Sequence, residues 1–177
     1  MSAEQNTAKA IQKTTLVFPI DQVTGNVLLG MKKRGFGADW WNGFGGKLDP
    51  GETYKIGAAR ETFEECGIRT NALKLAGRLL FYFEDEPQIV SAVYVCNDFT
   101  GEPHETEEMR PQWFAPGELP LDQMWGGDKY WIPSVLAEHA TKVLDFVVYF
   151  DKANNYLSSR PAREDEITPL FDWEPAA

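Results

Sequence analysis

The sequence predicts one α/β domain, a mixed sheet sandwiched between helices. Three observations carry that expectation. Runs rich in β-branched and apolar residues recur at 14–20, 26–33, 71–83, 88–99 and 146–150. Two stretches with helical spacing interrupt them, at 53–66 and from about Asp128. A length of 177 residues favours a single domain.

The elements follow in order. Residues 1–12 are polar and small and are expected as a flexible tail; 13–160 form the domain; 161–177 mix proline with acidic residues and read as an extension. Thr14–Ile20 (TTLVFPI) is a strand that Pro19 ends. Asp21–Gly25 is turn chemistry, so Asn26–Lys33 is expected to pair antiparallel with the first strand. Residues 34–47 (RGFGADWWNGFGGK) are thick with glycine, which lets backbone approach a ligand closely. A plain linker would not need Phe36, Trp40, Trp41 and Phe44. The stretch is not a P-loop, because Trp41 stands where that motif needs glycine and Leu48 where it needs Ser or Thr. Two long strands then run over 71–83 and 88–99, with a turn at 84–87. An acidic loop, 101–108, precedes a short edge strand at Met109–Phe114, placed at an edge by Pro111. APGELP is a loop or a single helical turn. Asp128 is the expected N-cap of a second helix burying Trp131, Val135, Leu136 and Val143. Phe146–Phe150 is a further strand, and a last short one is expected near Tyr156.

A net charge of −10 argues against nucleic-acid polymers and anionic membranes as partners. Cys66 and Cys96 stand alone in apolar segments, so no disulfide framework is expected and a reducing compartment is the default. The first residues lack a signal-peptide core, and no apolar run reaches the roughly 20 residues of a membrane span. The expected setting is the cytoplasm, with the nucleus or mitochondrion as further compartments in a eukaryote, and the expected state is a monomer.

The chemistry concentrates in Gly46–Ile68, GKLDPGETYKIGAARETFEECGI. On a helix over 53–66, Glu61, Glu64 and Glu65 fall at i, i+3 and i+4 within one arc. Ile56, Ala59, Phe63 and Cys66 form a second, apolar stripe expected to be buried. Like charges so spaced repel by a few tenths of a kcal/mol per pair. A hard divalent cation removes that conflict, since Mg²⁺ takes carboxylate oxygens. Arg60, four residues before Glu64, can pair with the cluster and orient it. The plain alternative is a solvated acidic face.

The complete string, Gly46, Glu52, Arg60, Glu61, Glu64, Glu65, Gly67 and Ile68, resembles the signature of the Nudix hydrolases: G, five residues, E, seven residues, REUXEEXGU, U being a bulky aliphatic. Thr62 departs from it, standing where an aliphatic residue is required; its hydroxyl needs a partner such as a carbonyl one turn back. The resemblance runs from about Thr14 to Tyr149. The stretches LLGMKKRGFG, WNGFGGK, EMRP and MWGGDKYW are similar to the group that cleaves oxidised purine nucleoside triphosphates, the animal homologues of MutT.

This resemblance implies a Nudix α/β/α sandwich and Mg²⁺-dependent hydrolysis, with Mn²⁺ able to substitute. It implies cleavage of 8-oxo-dGTP or 2-hydroxy-dATP to monophosphate and pyrophosphate, which sanitises the nucleotide pool. The implied metal ligands are Glu61, Glu64, Glu65, Glu108 and the carbonyl of Gly45, with Arg60 supporting them and Glu64 or Glu108 as the base. For Glu108, the plain alternative is an idle member of an exposed acidic run. Implied triphosphate and sugar contacts are Thr15, Lys32 and Lys47; Lys33 and Arg34 would complete a basic rim. Gly46 and Phe44 belong to the same substrate loop. Base recognition falls to Phe36, Asn42, Phe81, Phe83, Trp125 and Asp128. A purine wants a π-face to stack on and polar groups at its edges; Phe81 and Phe83 could equally be plain core. The group carries two adjacent aspartates after Met-Trp-Pro. Here Asp128 matches the second, Gly127 replaces the first and Gly126 replaces the proline. Two other readings stay open: a Nudix pyrophosphatase for ADP-ribose or a dinucleoside polyphosphate, and a module that binds a nucleotide without cleaving it.

Overall fold

The computed structural model describes residues 10–84, 86–139 and 141–171. In chain order these are β1 (Gln12–Pro19), β2 (Val27–Lys32), β3 (Trp41–Asn42), α1 (Tyr54–Cys66), β4 (Arg69–Phe83), β5 (Glu86–Thr100), β6 (Met109–Phe114), α2 (Asp128–Glu138), β7 (Leu144–Phe150), β8 (Tyr156–Pro161) and α3 (Glu164–Ile167). Five strands form a mixed sheet in the order β1-β5-β4-β7-β8, with β1 parallel to β5 and β4 parallel to β7. A second sheet has the order β3-β2-β6.

Alternation along each strand feeds two cores. Phe18, Leu79, Val93 and Val148 face α2 and its Trp131 and Val135. Their chain neighbours Val17, Leu80, Ala92 and Val147 pack on the other face with Tyr54 and Ala58 of α1 and with Ile167 and Phe171. Helices on both faces make the α/β/α sandwich that the sequence predicts.

The expected antiparallel pairing of the first two strands is corrected. Asp21 does fold the chain back, accepting from the Val23 and Thr24 amides at 3.0 and 2.7 Å. Yet the two strands share only an isolated bridge, Ile20 to Val27, and β2 pairs with β3 and β6. The free edge of β1 is taken by the glycine-rich segment instead: Val17 and Phe44 exchange backbone bonds at 2.6 and 2.9 Å, and the Thr15 amide donates to the Gly46 carbonyl at 2.9 Å.

Helix α1 starts where Thr53 accepts from the Ile56 amide at 3.2 Å and stops at Gly67, which is left-handed at φ 79°. Its buried face keeps Cys66 and Thr62 of the expected stripe but not Ile56 or Phe63. Ile56 and Phe63 are 56% and 42% exposed, whereas Ala58, Thr62, Glu65 and Cys66 are buried. The Thr62 hydroxyl donates to the Ala58 carbonyl one turn back at 2.8 Å. Helix α2 is capped by Gly127, not Asp128, which is its first residue. Val143 lies beyond the helix end and is exposed. Residues 161–171 are part of the packed body: Ile167 is buried, and Phe171 stacks on Tyr54 at 5.2 Å. The remainder of the expected extension, 172–177, and most of the expected tail, 1–9, fall outside the described residues.

Candidate active site

The glycine-rich segment runs along β1 so closely that a Cβ on Gly45 would lie 2.1 Å from the Thr15 carbonyl oxygen. Gly45 has φ 153°, and no other residue fits that approach. A Cβ on Gly46 would lie 2.7 Å from Glu61 Oε1, so this edge presses directly against α1. The Gly45 amide donates to Glu65 Oε2 at 2.9 Å.

The three glutamates of α1 fan from the interior to solvent. Glu65 is 3% exposed, and burial pushes its carboxyl up to about 8. The Gly45 amide and Lys32 oppose that rise, while the charges of Glu61 and Glu108 add to it. Burial raises Glu61 too. Glu64 is the exposed member. Arg60 organises the group. Its Nε and Nη2 donate to both oxygens of Glu52 at 2.7 and 2.9 Å, and Nη1 donates to Glu61 at 2.8 Å and Glu64 at 3.2 Å. Glu52 also accepts from the Asp49 amide at 2.9 Å, and Arg60 holds its carboxyl down at about 2. The role of Glu52 as a fork-to-fork clamp on Arg60 was not read from the sequence, because Glu52 precedes the helix and no local period pairs it with Arg60.

All the charged donors gathered here are oxygens, which suits a hard divalent cation. Glu61 and Glu64 are turned toward Arg60, and among the described residues no three acidic, His or Cys side chains already converge on one ion position. Glu65 is the buried member of the cluster, held by the Gly45 amide, whereas Glu61 and Glu64 are held by Arg60. Glu108 lies on the neighbouring loop and pairs with Arg34 at 2.7 Å. The expected basic rim is therefore mostly spoken for: Lys33 binds Glu105 at 2.7 Å, Arg34 binds Glu108, and only Lys32 lines the adjoining cavity. The Lys47 side chain is exposed and outside it.

That cavity measures about 240 Å³. Thr15, Lys32, Phe36, Asn42, Gly45, Gly46, Phe81, Phe83, Trp125 and Asp128, all expected from the sequence, line it together. Phe44 does not: it is fully buried in a third core with Leu28, Cys66 and Met109. The Thr15 hydroxyl is buried, with no hydrogen-bond partner among the described residues. Trp125 packs at a tilt against Phe36 at 4.8 Å and stacks on Trp40 at 6.0 Å. Gly37, at φ 84°, lets their loop come close, since a Cβ there would be 3.1 Å from the Trp125 ring. Asp128 is 7% exposed; burial pushes its carboxyl up to about 7, and its Oδ1 accepts from the Trp131 indole at 3.1 Å. Lining residues missed from the sequence include Leu79, Ile89, Ser91, Trp131 and Phe150. The period-two alternation through Phe81 and Phe83 would have found Leu79, and the cross-strand register would have found Ile89 and Ser91.

Fold and site together define a hydrolase: a carboxylate-bearing helix, braced by an arginine, against a glycine edge at the mouth of an aromatic cavity. Residues 11–135 match the NUDIX domain model, and the chain belongs to the Nudix hydrolase family. It is 47% identical over 113 residues to the oxidized purine nucleoside triphosphate hydrolase of Danio rerio, covering 63% of this chain and 72% of the fish protein. The mouse protein of the same name, from Mus musculus, is 47% identical over 111 residues, covering 62% and 71%. Among solved structures, a MutT protein from Bacillus halodurans superposes with a TM-score of 0.72 at 26% identity, covering 85% of this chain and 97% of that one. Among the described residues no helix is long and apolar enough to cross a membrane.

Proposed function

We propose that this protein hydrolyses oxidised or otherwise modified purine nucleoside triphosphates to the monophosphate and pyrophosphate. The observation that carries the reading is one continuous site. The buried Glu65 and Gly45 edge opens onto a cavity with an aromatic stack at Trp125, the amide of Asn42 and the buried carboxyl of Asp128. A flat aromatic base fits between such walls, and an amide and a carboxyl can read its edges.

Glu61, Glu64, Glu65, Glu108 and the Gly45 carbonyl would hold Mg²⁺, with Mn²⁺ as a substitute. When bound, the metal withdraws charge from the phosphate oxygens. The chain's own groups do the rest. Lys32, Lys47 and the unpartnered Thr15 hydroxyl bind and orient the triphosphate and sugar. Arg60, clamped by Glu52, fixes where Glu61 and Glu64 can point. Water attacks the β-phosphorus in line with the departing monophosphate. Glu64 or Glu108 takes its proton; both are exposed, Glu64 paired with Arg60 and Glu108 with Arg34. All the box carboxylates are present, which favours an enzyme over a binding module.

The test is kcat/KM with Mg²⁺ for 8-oxo-dGTP, 2-hydroxy-dATP, N6-methyl-dATP, dGTP and ADP-ribose, with product analysis. A modified purine triphosphate is expected to lead and to release pyrophosphate. Efficient ADP-ribose cleavage with the triphosphates idle would overturn the reading.

A further inference from the structure

We propose that Ser91 is a specificity residue of this cavity, its hydroxyl bonding to an exocyclic group on the edge of the bound base. The inference rests on the nucleotide reading above and deepens it. Ser91 sits in β5 opposite Thr14 of β1 and Leu79 of β4. Strand alternation places it on the cavity side with Ile89 and Val93, while Val90 and Ala92 enter the opposite core. It is 5% exposed and lines the cavity. Its hydroxyl makes no hydrogen bond to any other described residue.

A small apolar residue would fill this place in the strand without bringing a polar group to the cavity wall. The strand around it, IVSAVYVC, is otherwise almost wholly apolar, so the fold does not ask for serine here. Two of the cavity's other polar groups are already partly engaged. The Asn42 amide donates to the Trp40 carbonyl at 3.3 Å, and Asp128 accepts from Trp131. Ser91 keeps both its donor and its acceptor open. Such a group reads an oxo or an amino substituent equally well and is left unpaired by a bare C–H edge. Selectivity against a base lacking the substituent follows from that unpaired state.

The test compares wild type, Ser91→Ala and Ser91→Cys in steady-state kinetics with Mg²⁺. The substrates are 8-oxo-dGTP, 2-hydroxy-dATP, dGTP and purine deoxyriboside triphosphate, whose base has no exocyclic group. Both variants should raise KM for the substituted bases about five- to tenfold, the net worth of one neutral hydrogen bond, with kcat unchanged. KM for the bare purine should not move. Cysteine fills the same space but bonds weakly, so a wild-type-like Cys variant beside an impaired Ala variant would reduce the role to packing and overturn the proposal. Equal KM changes on all four substrates, or none on any, would overturn it as well. A wild type that cleaves no member of the panel overturns the nucleotide reading and this assignment together. Cleavage with unaltered discrimination overturns the assignment alone.

Discussion

Two buried carboxylic acids stand at opposite ends of the site, and they differ in company. Glu65 is surrounded by other charges: Glu61 on the same helix, Glu108 across the loop, Lys32 beyond, and Arg60 tying down the outer members. Asp128 meets the indole N–H of Trp131 and a wall of aromatic rings. Burial lifts both, to about 8 and about 7. A carboxyl crowded by like charges gains most from a cation. A lone carboxyl in an apolar pocket can be held neutral near physiological pH, and as an acid it donates a hydrogen bond. Under the function proposed above, the same residue chemistry would serve bond cleavage at one end and base recognition at the other, because the neighbours differ.

The largest expected effect breaks the first of these. Glu65→Gln keeps the size and can still accept from the Gly45 amide but removes the charge. Mg²⁺-dependent pyrophosphate release should fall by orders of magnitude while far-UV circular dichroism stays unchanged. Normal turnover would take Glu65 out of the metal set. Next in size, Glu52→Gln loosens the clamp on Arg60 without touching the reacting groups; kcat should fall about 10- to 100-fold, the usual effect of losing a group that orients ligands.

The comparison also has a pH signature. In the metal-free protein both acids keep protons that the unfolded chain releases near pH 4–4.5. Folded chains then bind more protons than unfolded ones between the ordinary carboxylate range and about pH 7–8, so stability falls as pH rises through that window. Thermal melting in EDTA should show this decline. Glu65→Gln and Asp128→Asn should each flatten part of it, and Mg²⁺ should flatten only the share belonging to Glu65. A wild-type melting temperature that is constant across the window would contradict both assignments.

How much of this the sequence disclosed depends on range. The spacing of Glu61, Glu64 and Glu65 needs only the helical period, and the three lie on α1 as expected. On the buried face of α1, hydrophobicity rightly marks Cys66 but wrongly adds Ile56 and Phe63. The packed face is set by what the helix must meet: Ala58 and Cys66 enter the cores, and Glu65 must reach Gly45. Phe63 stays out, with the Arg69 guanidinium 4.0 Å over its ring. The partner of β1 was misread for a related reason. A short turn brings β2 near, but the Phe44–Lys47 segment takes that edge of β1, a competition between distant residues that no local pattern reveals. Phe44 looked like a ligand residue because it sits in the substrate loop. Its alternation with Gly43 and Gly45 turns it into the core instead.

The recognition end yields smaller effects. Asp128→Asn retains an acceptor for the Trp131 indole, so the fold should hold. It loses the carboxyl, and KM for the preferred triphosphate should rise roughly 10- to 100-fold, the range for a hydrogen bond involving a charged group. An unmoved KM would confine Asp128 to packing.

Gly127→Asp sharpens the contrast from the other side, by trying to give Asp128 the charged neighbour that Glu65 has. Gly127 has an ordinary φ of −81°, so the backbone accepts the change. Space does not: an added Cβ would lie 2.9 Å from Val148 Cγ1 and 3.2 Å from the Tyr156 ring. Val148 is β-branched and fully buried in the sheet, so it cannot swing aside. Overpacking of this kind costs about 1–3 kcal/mol, which for a domain of this size lowers the melting temperature by about 2–12 °C. Val148→Ala in the same chain should return part of that loss by removing the obstructing methyls, although the alanine alone is destabilising. Substrate ranking should shift in the double variant more than in the single one, because only there can the new carboxylate settle beside Asp128. A single variant that melts like wild type and reorders the substrates would mean that the loop before α2 yields more readily than its contacts with Val148 and Tyr156 imply.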